Sequence, residues 1–251
     1  MNDNNNLKKY LQDKTIYSKD TGKKFNSLAK LLLNNCVIRV GKKNFRLIEI
    51  EFYLYSSSHP DLITYPRKDE KGGNWFFHQS GVDICFNSSC VNASEEGKYC
   101  LSNDSKFGGI LIRSMVELDD KYKYLPTSKP IHGPMKCMDV LFKTFGALDC
   151  NRDIDQIPYV DECSLLKEEE VKRTQRYIPI KNTAEDKIKS ILKNTYGYNN
   201  ERIISAMNLV NSASEFIKKE TNYKYRYYIE PKIESLWKNY QAKPKNGIPA
   251  S

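Results

Sequence analysis

The stretch FRLIEIEFYLY, residues 45–55, predicts one long β-strand. β-Branched, aromatic and leucine side chains dominate it, and they favour a pleated strand over a helix. Successive side chains point to opposite faces of a strand. One face would carry Leu47, Glu49, Glu51 and Tyr53. The opposite face is mostly apolar and predicts a packed core; its residues are Arg46, Ile48, Ile50, Phe52 and Leu54.

Helix and strand patterns alternate irregularly on both sides of this stretch. FNSLAKLLLNN (25–35) has apolar residues at helical spacing, and CVIRV (36–40) predicts a strand. Further strands are predicted over 74–77, 82–87, 108–118, 174–180 and 222–231, and helices over 133–145 and 184–219. This order is typical of a single α+β domain with a curved, mostly antiparallel sheet and flanking helices.

The chain of 251 residues divides into three predicted parts. Residues 1–24 are polar, with six lysines against three aspartates, and predict a mobile basic arm. Residues 25–231 form the domain, with an inserted helical segment at 184–219. Residues 232–251 form a C-terminal tail, which we expect to be disordered from Gln241.

Composition excludes several classes of protein. Hydrophobic residues make up 39% of the chain, which is enough for a core. No stretch approaches the roughly 20 apolar residues of a membrane helix, and the N-terminus lacks the apolar segment of a secretory signal. We therefore expect an intracellular protein, in the cytoplasm beside the nucleoid or in the nucleus, and not a membrane or secreted one.

The seven cysteines favour reduced thiols over disulfides or a metal site. Their number is odd and no CxxC pair occurs. Cys85, Cys90, Cys100 and His78 lie close enough in sequence to suggest zinc, but they match none of the usual ligand spacings. We predict no metal and no cofactor.

The positive charge is concentrated in the C-terminal third. The chain carries 40 basic and 31 acidic residues, a net charge of +9, and residues 164–251 contribute +7 of it. Such an excess is typical of proteins that bind nucleic acid or an anionic membrane surface, and also of plain lysine-rich solubility. Four tyrosines interleave with basic residues near the end, a pattern that suits nucleotide stacking or a simple strand: Tyr223, Tyr225, Tyr227 and Tyr228.

From residue 25 to about 145 the order of motifs resembles the alkyladenine (3-methyladenine) DNA glycosylases. Six pieces follow one another as in that family, which makes the resemblance more specific than any single motif. The pieces are SLAKLLLNN with CVIRV (27–40), RLIEIEFYLY (46–55), PDLITY (60–65), WFFHQSGVDICFN (75–87), LIRSMVE (111–117) and GPMKCMDVL (133–141). The last third matches poorly, although TQRYIPI and YKYRYYI resemble the two closing strands of the family.

The resemblance implies that Glu51 activates a water molecule and that Arg113 lies close to that water. One carboxylate can both activate water and stabilise a positively charged sugar in glycosidic cleavage. The alternative for Glu51 is a satisfied structural carboxylate on a solvated sheet face. The alternative for Arg113 is an ion pair with Glu49 or Glu117.

A flipped base would lie in an aromatic pocket. The resemblance places Tyr53 and Phe77 on either side of it, Tyr65 as a third wall and Asn87 at its border. We expect an electron-poor alkylated base to stack there as a cation. Phe77 could instead belong to the core, and Asn87 could be a turn residue.

Two residues depart from the family. Tyr65 stands where the family has a histidine, and Ser80 stands where it has a tyrosine that fills the hole left by the flipped nucleotide. Serine is too small for that task, so another residue of the turn, His78 or Gln79, would have to do it. His59 and His78 could compensate for the missing histidine. Basic residues in flanking turns predict phosphate contacts, or else solvated surface: Lys42, Lys43, Arg67, Lys68 and Lys136.

The leading hypothesis is a monomeric, monofunctional DNA glycosylase. It would bind double-stranded DNA and hydrolyse the N-glycosidic bond of a damaged or modified base, leaving an abasic site for base-excision repair or in modified foreign DNA. No lysine occupies a matched catalytic position, so water is the expected nucleophile. The alternatives are a catalytically inactive DNA-binding reader of the same fold and a hydrolase acting on nucleosides or RNA.

Overall fold

A computed structural model describes the chain at residues 6–18, 20–61, 63–68, 70–89, 92–93, 99–100, 102–125, 127–143, 157–176 and 223–231. Within these ranges the helices are α1 (Asn6–Gln12), α2 (Thr21–Asn35) and α3 (Pro134–Phe142), with a 3₁₀ turn at Lys14–Tyr17. The strands are β1 (Cys36–Val40), β2 (Lys43–Ser56), β3 (His59–Pro60), β4 (Trp75–His78), β5 (Gly81–Cys85), β6 (Asn92–Ala93), β7 (Tyr99–Cys100), β8 (Phe107–Leu118), β9 (Ile131–His132), β10 (Tyr159–Glu162), β11 (Lys172–Thr174) and β12 (Arg226–Tyr228).

One curled antiparallel sheet organises the domain. Its main path runs β10-β1-β2-β8-β5-β4, and β3, β9, β11 and β12 extend it. The sheet curls so far that Trp75 Nε1 on β4 donates to the carbonyl of Pro158, just before β10, at 2.7 Å. The predicted α+β class is confirmed, because the described residues form a half-barrel sheet with few helices.

The apolar face of β2 forms the core, as its sequence predicts. Ile48, Ile50, Phe52 and Leu54 are buried on it. Helix α2 packs against this face through Phe25, whose ring stacks on Phe52 at 4.3 Å between centroids. The helical spacing within 25–35 is therefore confirmed, although α2 begins four residues earlier.

The pairing of β2 with β8 is irregular at one place only along its described length. The register shifts around Ile48 and Glu49, and it is regular again from Ile50, opposite Ile112. Such irregularities bend a strand and re-aim side chains. This one lies directly beside the glutamates of the candidate site.

The predicted mobile arm is wrong for residues 6–18. These residues form α1 and the 3₁₀ turn, and Leu7, Leu11 and Ile16 are buried in the main core. The Leu7 N–H donates to the carboxylate of Glu162 on β10 at 2.7 Å, which satisfies one free N–H of the helix start. Burial of these few apolar side chains against α2 and β2 holds the segment in place.

Other boundaries shift by a few residues. Strand β10 lies between the helix predicted at 133–145 and the strand predicted at 174–180, where no element was predicted, and it pairs with β1. Strand β11 shares only Thr174 with the strand predicted at 174–180, and residues 177–180 of that prediction lie outside the described residues. The predicted segments 184–219 and 232–251 lie outside the described residues. Among the helices that are described, none is long and apolar enough to cross a membrane.

Candidate active site

A row of side chains crosses four strands on the face opposite the core. Glu51 on β2 pairs with Leu111 on β8, Leu111 pairs with Asp83 on β5, and Asp83 pairs with Phe76 on β4. Paired residues of neighbouring strands point to the same face. Glu51 and Asp83 are therefore two strand spacings apart, about 10 Å between backbones. Polar and charged side chains gather on both sides of Leu111.

On one side lies the glutamate–arginine cluster, formed by Glu49, Glu51, Arg113 and Arg226. Arg113 Nε donates to Glu49 Oε1 at 3.0 Å, and its Nη1 donates to Glu51 Oε2 at 2.5 Å. Arg226 Nε donates to the same Glu49 oxygen. The Glu51 side chain is 0% exposed and that of Arg113 is 12% exposed. The charges of two carboxylates and two guanidinium groups thus neutralise one another in an environment with little access to water.

The two carboxylates fix the charge of Arg113. Burial alone would lower the pKa of Arg113, but the negative charges of Glu51 and Glu49 outweigh it and raise that pKa. A guanidinium held in this way aligns a carboxylate through charge-assisted hydrogen bonds. The solvated face considered for Glu51 is therefore absent at this position, since Glu51 is buried and ion-paired. Glu117, the other partner considered for Arg113, pairs with Lys43 instead.

A hydroxyl connects this cluster to a histidine. Ser114 Oγ lies 3.4 Å from Glu49 Oε2 and 2.8 Å from His132 Nδ1. Burial lowers the pKa of His132 to about 4, although the charge of Glu49 acts in the opposite direction. His132 is thus a neutral ring at physiological pH.

On the other side of Leu111 lies the Asp83 cluster, formed by Asp83, Arg67, His78 and Tyr65. Arg67 Nη2 donates to Asp83 Oδ2 at 2.9 Å, and His78 Nε2 lies 3.0 Å from Asp83 Oδ1. The Ser80 N–H donates to His78 Nδ1, so the Nε2 atom carries the proton that Asp83 accepts. Burial alone would raise the pKa of Asp83, but the hydrogen bond from His78 and the charge of Arg67 lower it.

Glycine makes room for this cluster. A methyl group at Gly109 would lie 2.7 Å from Arg67 Nη1 and 3.0 Å from Asp83 Cβ. The Arg67 guanidinium therefore occupies the space of a side chain on β8, and its other face lies 4.0 Å from the centroid of Phe76. Arg67 is 1% exposed. The predicted phosphate contact of Arg67 is wrong, because its guanidinium is buried and paired with Asp83.

Tyr65 joins the Asp83 cluster to the tip of the β4–β5 hairpin. Its ring stacks on His78 at 4.5 Å, and its hydroxyl accepts from Gln79 Nε2 at 2.9 Å and lies 3.3 Å from Ser80 Oγ. The His78 side chain is 6% exposed and both ring nitrogens are engaged. A DNA contact by His78 is therefore disfavoured, whereas Gln79 is exposed at the tip.

Tyr53 lies on the face of Glu51, two residues further along β2. The guanidinium of Arg176 lies 4.8 Å from its ring centroid, and Arg176 is itself paired with buried Asp61 at 2.5 Å. Burial raises the pKa of the Tyr53 phenol well above its usual range, and the charge of Glu51 raises it further. Tyr53 is therefore a neutral hydrogen-bond donor beside Glu51.

Phe77 does not lie with Tyr53. Phe76 occupies the row of Asp83 and Glu51, so its neighbour Phe77 points to the opposite face. There its ring lies edge-on to Phe142 of α3 at 4.6 Å, and the residue is 52% exposed. Phe77 is thus separated from Tyr53 and Tyr65, the other proposed walls of the pocket. The alternative, that Phe77 belongs to the core, also fails, because its ring is half exposed.

Asn87 serves as an anchor for the backbone. Its Oδ1 accepts from the Gly72 N–H at 2.7 Å, and its Nδ2 donates to the Gln12 carbonyl at 2.9 Å. Both halves of the amide are therefore committed to holding α1 and the segment around Gly72. These contacts support the structural role considered for Asn87 rather than a role at the border of a base pocket.

The remaining predicted DNA contacts are lysines at the surface that are not members of either cluster. Lys42 and Lys136 are exposed, as is Lys68. Lys43 is exposed and pairs with Glu117 at 3.1 Å. These positions leave the predicted phosphate contacts open for Lys42, Lys43 and Lys136.

Sequence reasoning missed the roles of several residues in the two clusters. Asp83, Phe76, Arg176 and Arg226 lie in strands or segments that were predicted, but their partners are remote in sequence. Charged residues inside otherwise apolar strand patterns were the available signal, as with Asp83 in VDICFN.

The described residues contain no group of three or more potential metal ligands close together. Cys85 is buried and accepts a hydrogen bond from Arg67 Nη1 at 3.4 Å. Cys90, another member of the zinc set considered above, lies outside the described residues.

The chain is similar to a protein of a mimivirus. It is 27% identical over 131 residues to uncharacterized protein L759 of Acanthamoeba polyphaga mimivirus, which covers 48% of this chain and 57% of that protein. The chain thus spans little more than half the length of this relative. No family model and no solved structure matches the chain.

Proposed function

We propose that the protein is a DNA glycosylase that removes a modified base by means of Glu51. The observation that carries this proposal is a buried carboxylate in the middle of a strand, Glu51, aligned by Arg113 at 2.5 Å and flanked by Tyr53 on the same face. The opposite face of the same strand packs into the core, so the buried charge of Glu51 is not explained by core packing. We also propose that the fold is that of the glycosylases.

Glu51 would act on a water molecule. The carboxylate takes a proton from water, and the water oxygen bonds to the sugar C1′ while the bond from C1′ to the base nitrogen breaks. The electron pair of that bond leaves with the base, and the negative charge of Glu51 stabilises the positive sugar of the transition state. Arg113 holds the carboxylate, and Tyr53 provides a neutral aromatic surface for the base. The substrate would be DNA inside the cell.

One observation favours a second candidate, a reader that binds modified DNA without cutting it. Glu51 is 0% exposed and already ion-paired, and Ser80 and Tyr65 replace residues that the glycosylases use. A reader would use the same face for selective binding.

A cleavage panel tests both candidates. Duplexes that each hold one modified base are incubated with excess protein, and alkali then breaks any abasic site. Strand breaks that require alkali, and that disappear with Glu51→Gln, support the glycosylase. Selective tight binding without breaks on any duplex supports the reader instead.

A further inference from the structure

Arg226 reaches the glutamate–arginine cluster from a remote part of the chain. It lies on β12, where it is the direct cross-strand partner of Glu51. Its Nε donates to Glu49, and the residue is 5% exposed. The resemblance that pointed to Glu51 and Arg113 assigns no role to Arg226.

Core packing fixes the position of this strand. The neighbour Tyr227 packs edge-on against Phe52 at 5.3 Å, and its hydroxyl donates to Asn26 Oδ1 on α2 at 2.7 Å. Strand β12 also hydrogen-bonds along β2 from Glu49 to Glu51. Arg226 is thus presented to Glu49 by a rigid element, which is the arrangement that holds a functional group in place.

The two arginines compete for one oxygen. Glu49 Oε1 accepts from Arg226 Nε and also from Arg113 Nε, while Arg113 Nη1 turns to Glu51. A guanidinium prefers two parallel hydrogen bonds to a single carboxylate. Without Arg226, Glu49 could accept from both donors of Arg113, and Glu51 would then lose its contact with Arg113.

A second feature distinguishes Arg226 from an ordinary structural arginine. Its Nη1 is buried and has no hydrogen-bond partner among the described residues. Such a donor is unfavourable in a free protein. The contact of Arg226 Nε with Glu49 therefore has to offset this unfavourable donor, which sets Arg226 apart from an arginine whose donors are all paired.

We infer that Arg226 is a positioning residue for the proposed reaction: it engages Glu49 so that Arg113 aligns the carboxylate of Glu51. This inference rests on the proposed function. It predicts an effect on the chemical step and little effect on substrate binding, because the residue acts through Glu49 and Arg113.

The test compares Arg226→Gln and Arg226→Lys with Lys224→Gln as control. Lys224 is an exposed basic residue two positions before Arg226, just outside β12. Single-turnover rates and duplex affinities are measured separately on a duplex that the wild type cuts. We expect Arg226→Gln to slow cleavage by roughly 100-fold, as small misplacements of catalytic groups do, with affinity within about twofold. Arg226→Lys keeps the charge and should recover roughly tenfold of that loss.

A crystal structure of Arg226→Gln provides a reading that needs no activity. We expect both donors of Arg113 on Glu49 and none on Glu51. An unchanged contact between Arg113 and Glu51, or an unchanged cleavage rate, would overturn the role of Arg226. If the wild type cuts no duplex but Arg113 shifts in the variant, the glycosylase proposal fails and the positioning contact stands.

Discussion

Glu51 and Phe76 lie in one cross-strand row of the sheet, three strands apart and on the same face. Leu111 and Asp83 connect them through direct pairing. This row places two charged clusters on either side of an apolar residue, one around Glu51 and one around Asp83. It also determines which aromatic residues can share a binding surface with Glu51.

The first prediction concerns Tyr53 and Phe77, which the sequence assigned to the same pocket. Tyr53→Ala should weaken binding of the recognised duplex by about ten- to hundredfold, because a stacking surface for a base is worth about 1–3 kcal/mol. Phe77→Ala should change the affinity by about twofold or less, since its ring lies on the opposite face against Phe142. Titration of a fluorescent duplex measures both, with circular dichroism to verify folding. Equal losses in the two variants would contradict this assignment of faces.

A second prediction tests the space beneath Arg67. Gly109→Ala should lower the free energy of unfolding by about 1–3 kcal/mol, because the added methyl group meets Arg67 and Asp83 within 3.0 Å. Gly22→Ala is the matched control, as no atom lies within 4 Å of a methyl group there and the residue is in α2. The control should stabilise the protein by up to about 1 kcal/mol. Urea unfolding measures both; a neutral Gly109→Ala would mean that Arg67 is not confined as described.

A third prediction follows from the pKa of His132, which is about 4 in the folded protein and 6.5 as its ordinary value. Between these values the unfolded chain binds a proton that the folded chain does not, so stability falls as the pH falls from 6.5 to 4. Above pH 6.5 this loss is absent. His132→Gln should remove up to about 3 kcal/mol of that pH-dependent loss.

Denaturant unfolding at several pH values measures the difference between His132→Gln and the wild type. Lys129→Gln, at an exposed residue nearby, should keep the wild-type slope. Parallel slopes for wild type and His132→Gln would show that His132 titrates normally in the folded protein.

Periodicity within a segment was sufficient to predict much of the fold. The apolar alternation of 46–54 gave the core face of β2, and Leu28 and Leu32 indicated α2, because each pattern is complete within one element. Helix α1 escaped this reasoning. Leu7 and Leu11 are the buried residues of this short helix, and the carboxylate that caps it, Glu162, is 155 residues away.

The candidate site was only partly predictable, because register between strands is not written in local sequence. The motif WFFH leaves open whether Phe76 or Phe77 faces Glu51, and a shift by one residue reverses the answer. In the same way, the sequence suggested that Arg67 contacts phosphate at the surface. In the structure Gly109, on a remote strand, leaves room for its guanidinium to be buried beside Asp83. Glu51 and Arg113 were identified through motif order, and their direct contact depends on the pairing of β2 with β8.

The most direct test of the proposed function is single-turnover cleavage by Glu51→Gln on a duplex that the wild type cuts. Glutamine keeps the size of the side chain but cannot take a proton from water, so the rate should fall by at least about 100-fold. Glu230→Gln, which removes an exposed carboxylate paired with Lys172, should cleave like the wild type. Affinity for the duplex should persist in both variants. Full cleavage by Glu51→Gln would contradict the assignment of Glu51 as the residue that activates water.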